Sequence, residues 1–389
     1  MRFPEFSGEW DSFKLVELGK FIGGGTPSSS NLSFWTGSIP WISSSDIKED
    51  NINNISISRY ITEEAIEKSA TKYCPAPVIL IVSRVGVGKV ALSHTSLCTS
   101  QDFCNIIEIK CHPVFLSYNL LRTMKRKSRE VQGTSIKGIT SDELQKMRVF
   151  IPKNKDEQNK ISNLLTLLDE RIATQNKIIE DLKKLKSAII EKTFNENYSN
   201  KIRLRDVGSY IRGLTYSSDD VVESNGIFVM RSNNIINGSS LDYYNNIVSV
   251  NKQILTEQQL QTGDIVICMA NGSSSLVGKS SFYDGDCSTP ITVGAFCGIY
   301  RSKEPIVKWL FQTNKYRRYI WNSLQGGNGA IANLNGDDIL RMSFSIPATP
   351  AKDNRIKLLT SVDTLLESNI SLCDLYISQK LYLLRQMFI

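Results

Sequence analysis

Laid against itself at an offset of about 190 residues, this 389-residue chain repeats its landmarks in the same order. FKLVELGKFIGGGTPSS, from Phe13 to Ser29, matches IRLRDVGSYIRGLTYSS, from Ile202 to Ser218, with seven identities in seventeen positions. IPWISSSDI (39–47) falls against IFVMRSNNI (227–235), and both read as a short buried strand running into a polar loop. VILIVSRVGVGKVAL (78–92) falls against IVICMANGSSSLVGKSSF (265–282), with a three-residue insertion in the second copy. GTSIKGITSDELQKMRVFIP (133–152) matches GAIANLNGDDILRMSFSIP (329–347), and each is followed by a long helical pattern ending in Phe194 or Phe388. The order is domain, helix, domain, helix, with boundaries at 1–152, 153–195, 196–348 and 349–389. Any fold for this chain must serve both copies.

The two helical patterns are the clearest local signal. In the first, Ile161, Leu165, Leu168, Ile172, Gln175, Ile179, Leu182, Lys186 and Ile189 alternate spacings of four and three, the seam of a coiled coil with two polar interruptions. The second repeats this as Ile356, Leu359, Asp363, Leu366, Ile370, Cys373, Ile377, Lys380, Leu384 and Met387. Asn154 with Glu157 reads as a capping box, and Thr349 followed by Pro350 as a cap with a pre-set first helical position. At about 1.5 Å per residue each helix extends about 55–60 Å. A seam on each of two similar helices predicts that they pair with each other. Because a globular domain separates them, the pairing is simplest antiparallel, with the domains at opposite ends of a rod.

The domains read as mixed. VILIVS, CNIIEIK and IVICMA are strand-like runs rich in Val and Ile, and 114–131 and 305–324 are the best helices within the copies. The fold class is therefore α+β: two similar mixed α/β domains separated by two long helices that form an intramolecular antiparallel coiled coil. The first residues, MRFPEFSGEW, carry no apolar signal core, and no window approaches the roughly 18 uninterrupted apolar residues of a membrane span. We read the chain as cytoplasmic, without a membrane partner. The net charge is +7 and the pI near 8.8, short of the value above about 9 that alone indicates nucleic acid. The placement of charge says more. Two basic clusters, Lys125-Arg126-Lys127-Ser128-Arg129 and Lys315-Tyr316-Arg317-Arg318-Tyr319, occupy equivalent slots, each after an apolar helical segment.

Motifs for chemistry are weak. The loop closing on Gly278, Lys279 and Ser280 suggests a phosphate cradle, but five residues separate Gly272 from Gly278 where a Walker A loop has four, and SSFYDGDCSTP after Lys279 cannot be the required helix. The first copy keeps Gly88 and Lys89 but lacks the early glycine and the hydroxyl. Asp102, Glu108 and Lys110 in DFCNIIEIK have the residue types of a magnesium nuclease, yet the second copy reads TVGAFCGIYRSK there, without acids. Eight cysteines with no CxxC pair and two histidines, His94 and His112, offer no zinc cluster or triad, so no metal site is assigned. The cysteines read as reduced core residues. Neither a G-x-G-x-x-G after a strand nor an Asn-Pro-Pro-aromatic motif is present.

Two diverged domains, each followed by a coiled-coil helix, resemble the specificity subunit of type I restriction-modification systems. The likeness runs over essentially the whole chain. It is strongest in RFPEFSGEW (2–10), in the IP-plus-helix junctions at 151–172 and 346–370, and in the terminal KLYLLRQMFI. The usual IPLPP-type junction is here IPKNKDEQ and IPATPAKD. The resemblance implies that the globular parts are target-recognition domains, each reading one half of an asymmetric two-part duplex. It implies that the helices act as a ruler and dock two methyltransferase subunits, and that restriction subunits join to cut. By resemblance S-adenosylmethionine, ATP and magnesium belong to those partners, and this chain carries neither catalysis nor cofactor.

In that reading Lys125, Arg126, Lys127, Arg129, Lys315, Arg317 and Arg318 neutralise phosphates. Base contacts fall to loop residues: Ser43, Ser44, Ser45 and Asp46 with Arg84 and Lys89 in the first domain, and Arg231, Asn233, Asn234, Asn271 and Lys279 in the second. Lys89 and Lys279, at the ends of equivalent loops, are expected on a phosphate strand. The competing readings are a metal nuclease built on Asp102, Glu108 and Lys110, and a coiled-coil scaffold blind to sequence.

Overall fold

The computed structural model describes residues 1–131, 138–194, 198–285, 287–324 and 332–388. Parts of the two closing repeats, 133–137 and 329–331, lie outside the described residues, as does Ile389. The chain separates into two compact units, residues 1–177 with 370–389 and residues 178–369. This division assigns part of each long helix to each unit.

In chain order the first unit holds β1 (Asp11–Lys14), β2 (Lys20–Gly23), β3 (Ile39–Ile42), β4 (Arg59–Ile61), α1 (Glu63–Glu67), β5 (Tyr73–Cys74), β6 (Val78–Ile81), β7 (Val90–Ser93), β8 (Leu97–Thr99), β9 (Cys104–Ile107), α2 (Pro113–Val131), α3 (Ser141–Lys146) and β10 (Arg148–Ile151). It also holds the start of α4 (Lys155–Phe194). Strands β2-β9-β6-β7 form one antiparallel sheet, β4-β3-β8-β5 a second with β3 parallel to β8, and β1 pairs with β10. The predicted strand VILI is buried along its whole length because both of its faces are covered. Ile79 and Ile81 pack with Phe115, Leu121 and Met124 of α2, while Val78 and Leu80 pack toward the second sheet with Ile42 and Leu97.

The second unit repeats the plan. Its elements are β11 (Lys201–Arg203), α5 (Leu204–Val207), β12 (Gly208–Arg212), β13 (Val221–Val222), β14 (Ile227–Met230), β15 (Val248–Val250), β16 (Ile265–Cys268), β17 (Ala270–Asn271), β18 (Ser280–Phe282), β19 (Ile291–Val293), β20 (Cys297–Ser302), α6 (Val307–Leu310), α7 (Asn314–Leu324), β21 (Ala332–Asn333), α8 (Gly336–Leu340), β22 (Ser343–Ser345) and the first part of α9 (Ala351–Gln386). Sheet β12-β20-β16-β18 has the strand order of its counterpart, and β14 lies parallel to β19 as β3 does to β8. Ile265 and Ile267 face Tyr316 and Ile320 of α7, and Val266 and Cys268 face the other core. The helix expected at 305–324 is two helices. The Thr313 hydroxyl donates to Leu310 O (2.7 Å) and accepts from Tyr316 N–H (3.1 Å), ending α6 and capping α7.

Helices α4 and α9 form the antiparallel coiled coil expected from the seam. In the first unit Ile161, Leu165, Leu168 and Gln175 are buried, with Cys373, Lys380, Leu384 and Met387 of α9. In the second unit Ile179 and Lys186 are buried, Leu182 and Ile189 half-buried, with Leu359, Asp363 and Leu366 buried and Ile356 half-buried. Ile172 is half-buried, and Ile370 and Ile377 depart from the prediction at 36% and 39% exposed. The seam there narrows to Gln175 and Cys373, whose Sγ lies 3.7 Å from Asn176 Oδ1, and two helices alone cover only a narrow stripe. The capping predictions change in detail. Asn154 Oδ1 does accept from Asp156 N–H (2.8 Å), but Glu157 is buried and binds the Arg2 guanidinium (2.6 and 2.7 Å) and Trp10 Nε1 (3.2 Å), so there is no capping box. Pro350 precedes the first helical residue, Ala351, and its carbonyl accepts from Asn354 N–H (3.1 Å).

The charged seam positions Lys186, Asp363 and Lys380 lie in buried ion pairs. In the first unit Lys380 pairs with Asp169, both 4% exposed at the side chain, and Tyr118 Oη of α2 donates to the same carboxylate (2.8 Å). Lys380 also donates to Asp50 O, in the loop after β3. In the second unit Lys186 pairs with Asp363 (2.6 Å) and donates to Gly238 O (2.9 Å), and Lys308 reaches the other Asp363 oxygen (2.8 Å). Burial pushes Lys186 below the ordinary lysine range, opposed by its bond to Asp363. Lys380→Met leaves Asp169 buried without its cation and should cost about 3–5 kcal/mol. Adding Asp169→Asn, which keeps an acceptor for Tyr118, should restore much of that loss in urea unfolding followed by tryptophan fluorescence.

Candidate nucleic-acid interface

The polar loop after the first strand of each repeat is the same capped turn. In the first unit Asp46 accepts from Ser43 N–H (2.7 Å) and Ser43 Oγ (3.0 Å), closing a 3-10 turn over Ser44–Asp46. In the second, Asn234 Oδ1 accepts from Arg231 N–H (2.9 Å) across Ser232–Asn234. Asn234 is fully buried, and its Nδ2 donates to Asp242 O (3.0 Å) and Asn245 O (2.7 Å). It holds the loop together and is not presented to a ligand, which corrects its expected role as a base contact. Ser43 and Asp46 are likewise engaged, because Arg59 of β4 pairs with Asp46, donates to Ser43 Oγ (2.6 Å) and lies 4.6 Å over the Trp41 ring. Ser45 and Asn233 remain exposed, and Ser44 half-exposed.

The hairpin loops carrying the two expected lysines are also equivalent. Val82 N–H donates to Lys89 O (3.0 Å) as Cys268 N–H donates to Lys279 O (2.9 Å). Strand β18 follows Lys279 directly, pairing antiparallel with β16, so no helix begins there and the loop is not a Walker A cradle. Lys89 Nζ donates to Ser44 O (3.1 Å), so this lysine braces the capped turn, where a phosphate contact was expected. Lys279 is half-buried beside Arg317 and Trp321 of α7, in a cleft of about 200 Å³.

Of the basic clusters, Arg126 and Arg129 are exposed on α2 and line a cleft with Arg122 and Arg385. Lys125 faces Asp50 at 2.7 Å, and Lys127 is half-buried. On α7, Arg317 and Arg318 are exposed while Tyr316, which precedes them, is buried. Lys315 lies 5.4 Å from the Phe344 ring, its pKa lowered by burial and by Lys201. The α2 and α7 clusters thus put free cations on the surface, with some members diverted to internal contacts.

Each unit has a cleft at the end of its main sheet, and backbone bonds prove the places equivalent. Gly24 N–H donates to Phe103 O as Gly213 N–H does to Cys297 O, and Ser83 N–H to Asp102 O as Met269 N–H does to Phe296 O. Ile139 N–H donates to Ser83 O as Leu334 N–H does to Met269 O. The first cleft, about 720 Å³, holds Arg84 and Gln101. The second, about 450 Å³, gathers Arg231, Asn233 and Asn271 with Tyr216 and Phe296.

A family model described as the type I restriction modification DNA specificity domain matches residues 7–184. The specificity subunit of type I restriction enzyme MjaIX from Methanocaldococcus jannaschii is 33% identical over 195 residues, 48% of this chain and 44% of that protein. The EcoR124I/EcoR124II specificity subunit of Escherichia coli is 34% identical over 177 residues, 43% of each chain. Residues 7–184 thus match a type I restriction modification DNA specificity domain. The chain's matches span less than half the length of these relatives. The fold also matches the crystal structure of a type I S subunit from M. genitalium, with a TM-score of 0.60 and 15% identity over 100% of this chain and 99% of that one.

As in the sequence, Asp102, Glu108 and Lys110 are not brought together as a catalytic cluster. Asp102 accepts from Ser100 Oγ (3.1 Å), whereas Glu108 sits beyond the end of β9 and faces Lys20 at 3.5 Å. Among the described residues no group of three or more His, Cys, Asp or Glu could hold a metal ion, and the nuclease reading has no support. The cysteines are free, six of them buried. No helix among the described residues is long and apolar enough to cross a membrane. Sequence reasoning missed Arg59, Gln101, Tyr216 and Phe296; of these, only the cation-plus-aromatic pairing of Arg59 with Trp41 left a compositional trace.

The hairpin loop gives a direct test of its structural origin. Gly278 has φ +82, and a Cβ there would lie 2.6 Å from Ile320 Cγ2, while a Cβ on Gly272 meets nothing within 4 Å. Gly278→Ala should therefore cost about 1–3 kcal/mol, and Gly272→Ala should leave the melting temperature unchanged in calorimetry.

Proposed function

We propose that this chain is the non-catalytic recognition subunit of a type I restriction-modification complex, each unit reading one half of an asymmetric two-part duplex target. The observation that carries this reading is the repeat of one frame with two different surfaces. The sheets, capped turns and cleft frames correspond, while one cleft holds Arg84 and Gln101 and the other holds Arg231, Asn233 and Phe296. Two readers of different half-sites require this combination, since position must be shared and chemistry must differ.

Exposed leucines support protein docking along the helices. Leu358 and Leu365 lie seven residues apart on the outer side of α9 in the second unit, and Leu372 and Leu375 are exposed in the first. Unpartnered apolar positions at heptad spacing suit a helical partner, and we assign them to two methyltransferase subunits, with restriction subunits joining for cleavage. In this reading S-adenosylmethionine, ATP and magnesium are held by those partners, and the chain binds none of them.

Purified alone, the chain should neither methylate nor cut DNA. With methyltransferase subunits it should direct adenine methylation to a single two-part sequence, read by sequencing the modified bases. Methylation by the lone chain overturns the proposal, and equal affinity for all duplexes returns the chain to a sequence-blind scaffold. Replacing Arg126 and Arg129 by Ala should weaken binding to every duplex alike and reduce the salt slope, d log K against d log[salt], by about 2. Fluorescence anisotropy across a salt series measures that slope.

A further inference from the structure

We propose that the equivalent clefts are the base-reading sites, with Arg84 selecting a guanine in one half-site and Arg231 and Asn233 selecting a guanine and an adjacent adenine in the other. This inference rests on the recognition-subunit reading and names where in each unit the reading is done. The three pairs of matching backbone bonds identify one architectural position in both units. They also align the contents residue by residue. Arg84 stands where the second unit has Ala270, Gln101 where it has Ala295, and Asp102 where it has Phe296. A position kept by the frame and emptied of its side-chain chemistry is not performing a shared structural task.

The second cleft replaces that chemistry from another element. Its polar groups come from the turn after β14, which the fully buried Asn234 fastens from beneath. Asn271 Nδ2 donates to Ser232 Oγ (3.2 Å) and its Oδ1 accepts from Ser273 N–H (3.0 Å), so this amide is a brace. Arg231 and Asn233 are left exposed on a supported turn. One Arg231 nitrogen approaches Asn246 O at 3.4 Å, which leaves most of the five guanidinium donors available. Phe296 is 66% exposed beside them and offers an apolar face at the cleft.

The ligand follows from the donor sets. A guanidinium fork matches guanine O6 and N7, a carboxamide matches adenine N6 and N7, and a phenyl ring meets a thymine methyl. A phosphate strand would need cations alone, and a protein partner would not call for a carboxamide beside a guanidinium on each of two diverged frames. In the first cleft the Thr26 hydroxyl donates to Gln101 Oε1, fixing that amide beside Arg84.

The test selects duplexes from a randomised library with the full chain and with Arg231→Ala, Asn233→Ala and Arg84→Ala, then sequences them. The wild type should enrich one two-part sequence. Arg231→Ala and Asn233→Ala should each flatten preference at one position of one half by about 5- to 150-fold, leaving the other half intact. Arg84→Ala should do the converse. Retention of the wild-type preference at every position by the variants overturns the clefts as readers while the recognition-subunit reading stands. Equal loss across both halves, with circular dichroism unchanged, overturns them too, because it assigns these side chains to general affinity. Failure of the wild type to enrich any sequence sinks the recognition-subunit reading itself. Asn233→Asp, which keeps the shape of the side chain and removes its donors, should lose the adenine preference without loss of melting temperature, separating reading from folding.

Discussion

Two buried lysine–aspartate pairs hold the rest of the structure in register. Removing two charges from water is costly, and a seam of leucine and isoleucine would stabilise a helix pair without that penalty. Leucines, however, tolerate a slip of one heptad, since the apolar pattern recurs. A lysine opposite an aspartate does not, because a slipped pairing strands both charges in the seam. Lys380 with Asp169 in the first unit, and Lys186 with Asp363 in the second, therefore specify one alignment. On each helix the acid comes first and the lysine follows at the same spacing, so an antiparallel match pairs each acid with the other helix's lysine and a parallel match would set like charges together.

The same lysines tie each globular core to its stretch of helix. Lys380 reaches Asp50 O and Lys186 reaches Gly238 O, both in loops of the surrounding unit. In the first unit the carboxylate on the far side of the pair accepts from Tyr118 of α2. In the second it meets Lys308, whose ammonium stands 3.4 Å from the centre of the Phe282 ring. An ammonium with three donors can satisfy a carboxylate and a carbonyl together, which a hydrogen-bonded amide in the seam could not do with equal strength. Register of the helices and seating of each core are thus one interaction.

Much of this was legible in the sequence, for reasons that have a physical basis. The repeat, the seam and the buried strands are periodic or duplicated, and period is set by backbone geometry that any side chain must obey. What depended on the direction of a single side chain was not legible. Asp169 sits next to the seam residue Leu168, outside the apolar repeat, yet it is buried. Asn234 carries the composition of a base reader and is a turn brace; Lys89 carries the composition of a phosphate contact and holds Ser44 O. Ile370 and Ile377 satisfy the heptad but are left exposed. Glu157 has the spacing of a capping partner, and the Arg2 guanidinium, far away in sequence, outcompeted the local backbone amide for it.

The two capped turns show how a surface can diverge without loss of the frame. Asp46 and Asn234 are different residues performing the same closure, because either side chain offers an oxygen to the backbone N–H three positions earlier. Once that bond and the buried strand before it are kept, the residues between them are free of folding duty. Asn233 is exposed at such a position in the second copy, whereas Ser232 Oγ accepts from Asn271 Nδ2 (3.2 Å) and Ser45 Oγ in the first copy bonds Ser43 Oγ (2.9 Å). The first copy spends part of its turn on an internal clamp, with Arg59 stacked on Trp41 and bound to Asp46, whereas the second leaves Arg231 pointing out of the same frame. A frame that fixes backbone position by buried strands and a capping oxygen lets the exposed side chains of two halves of one duplicated chain differ while the fold is kept.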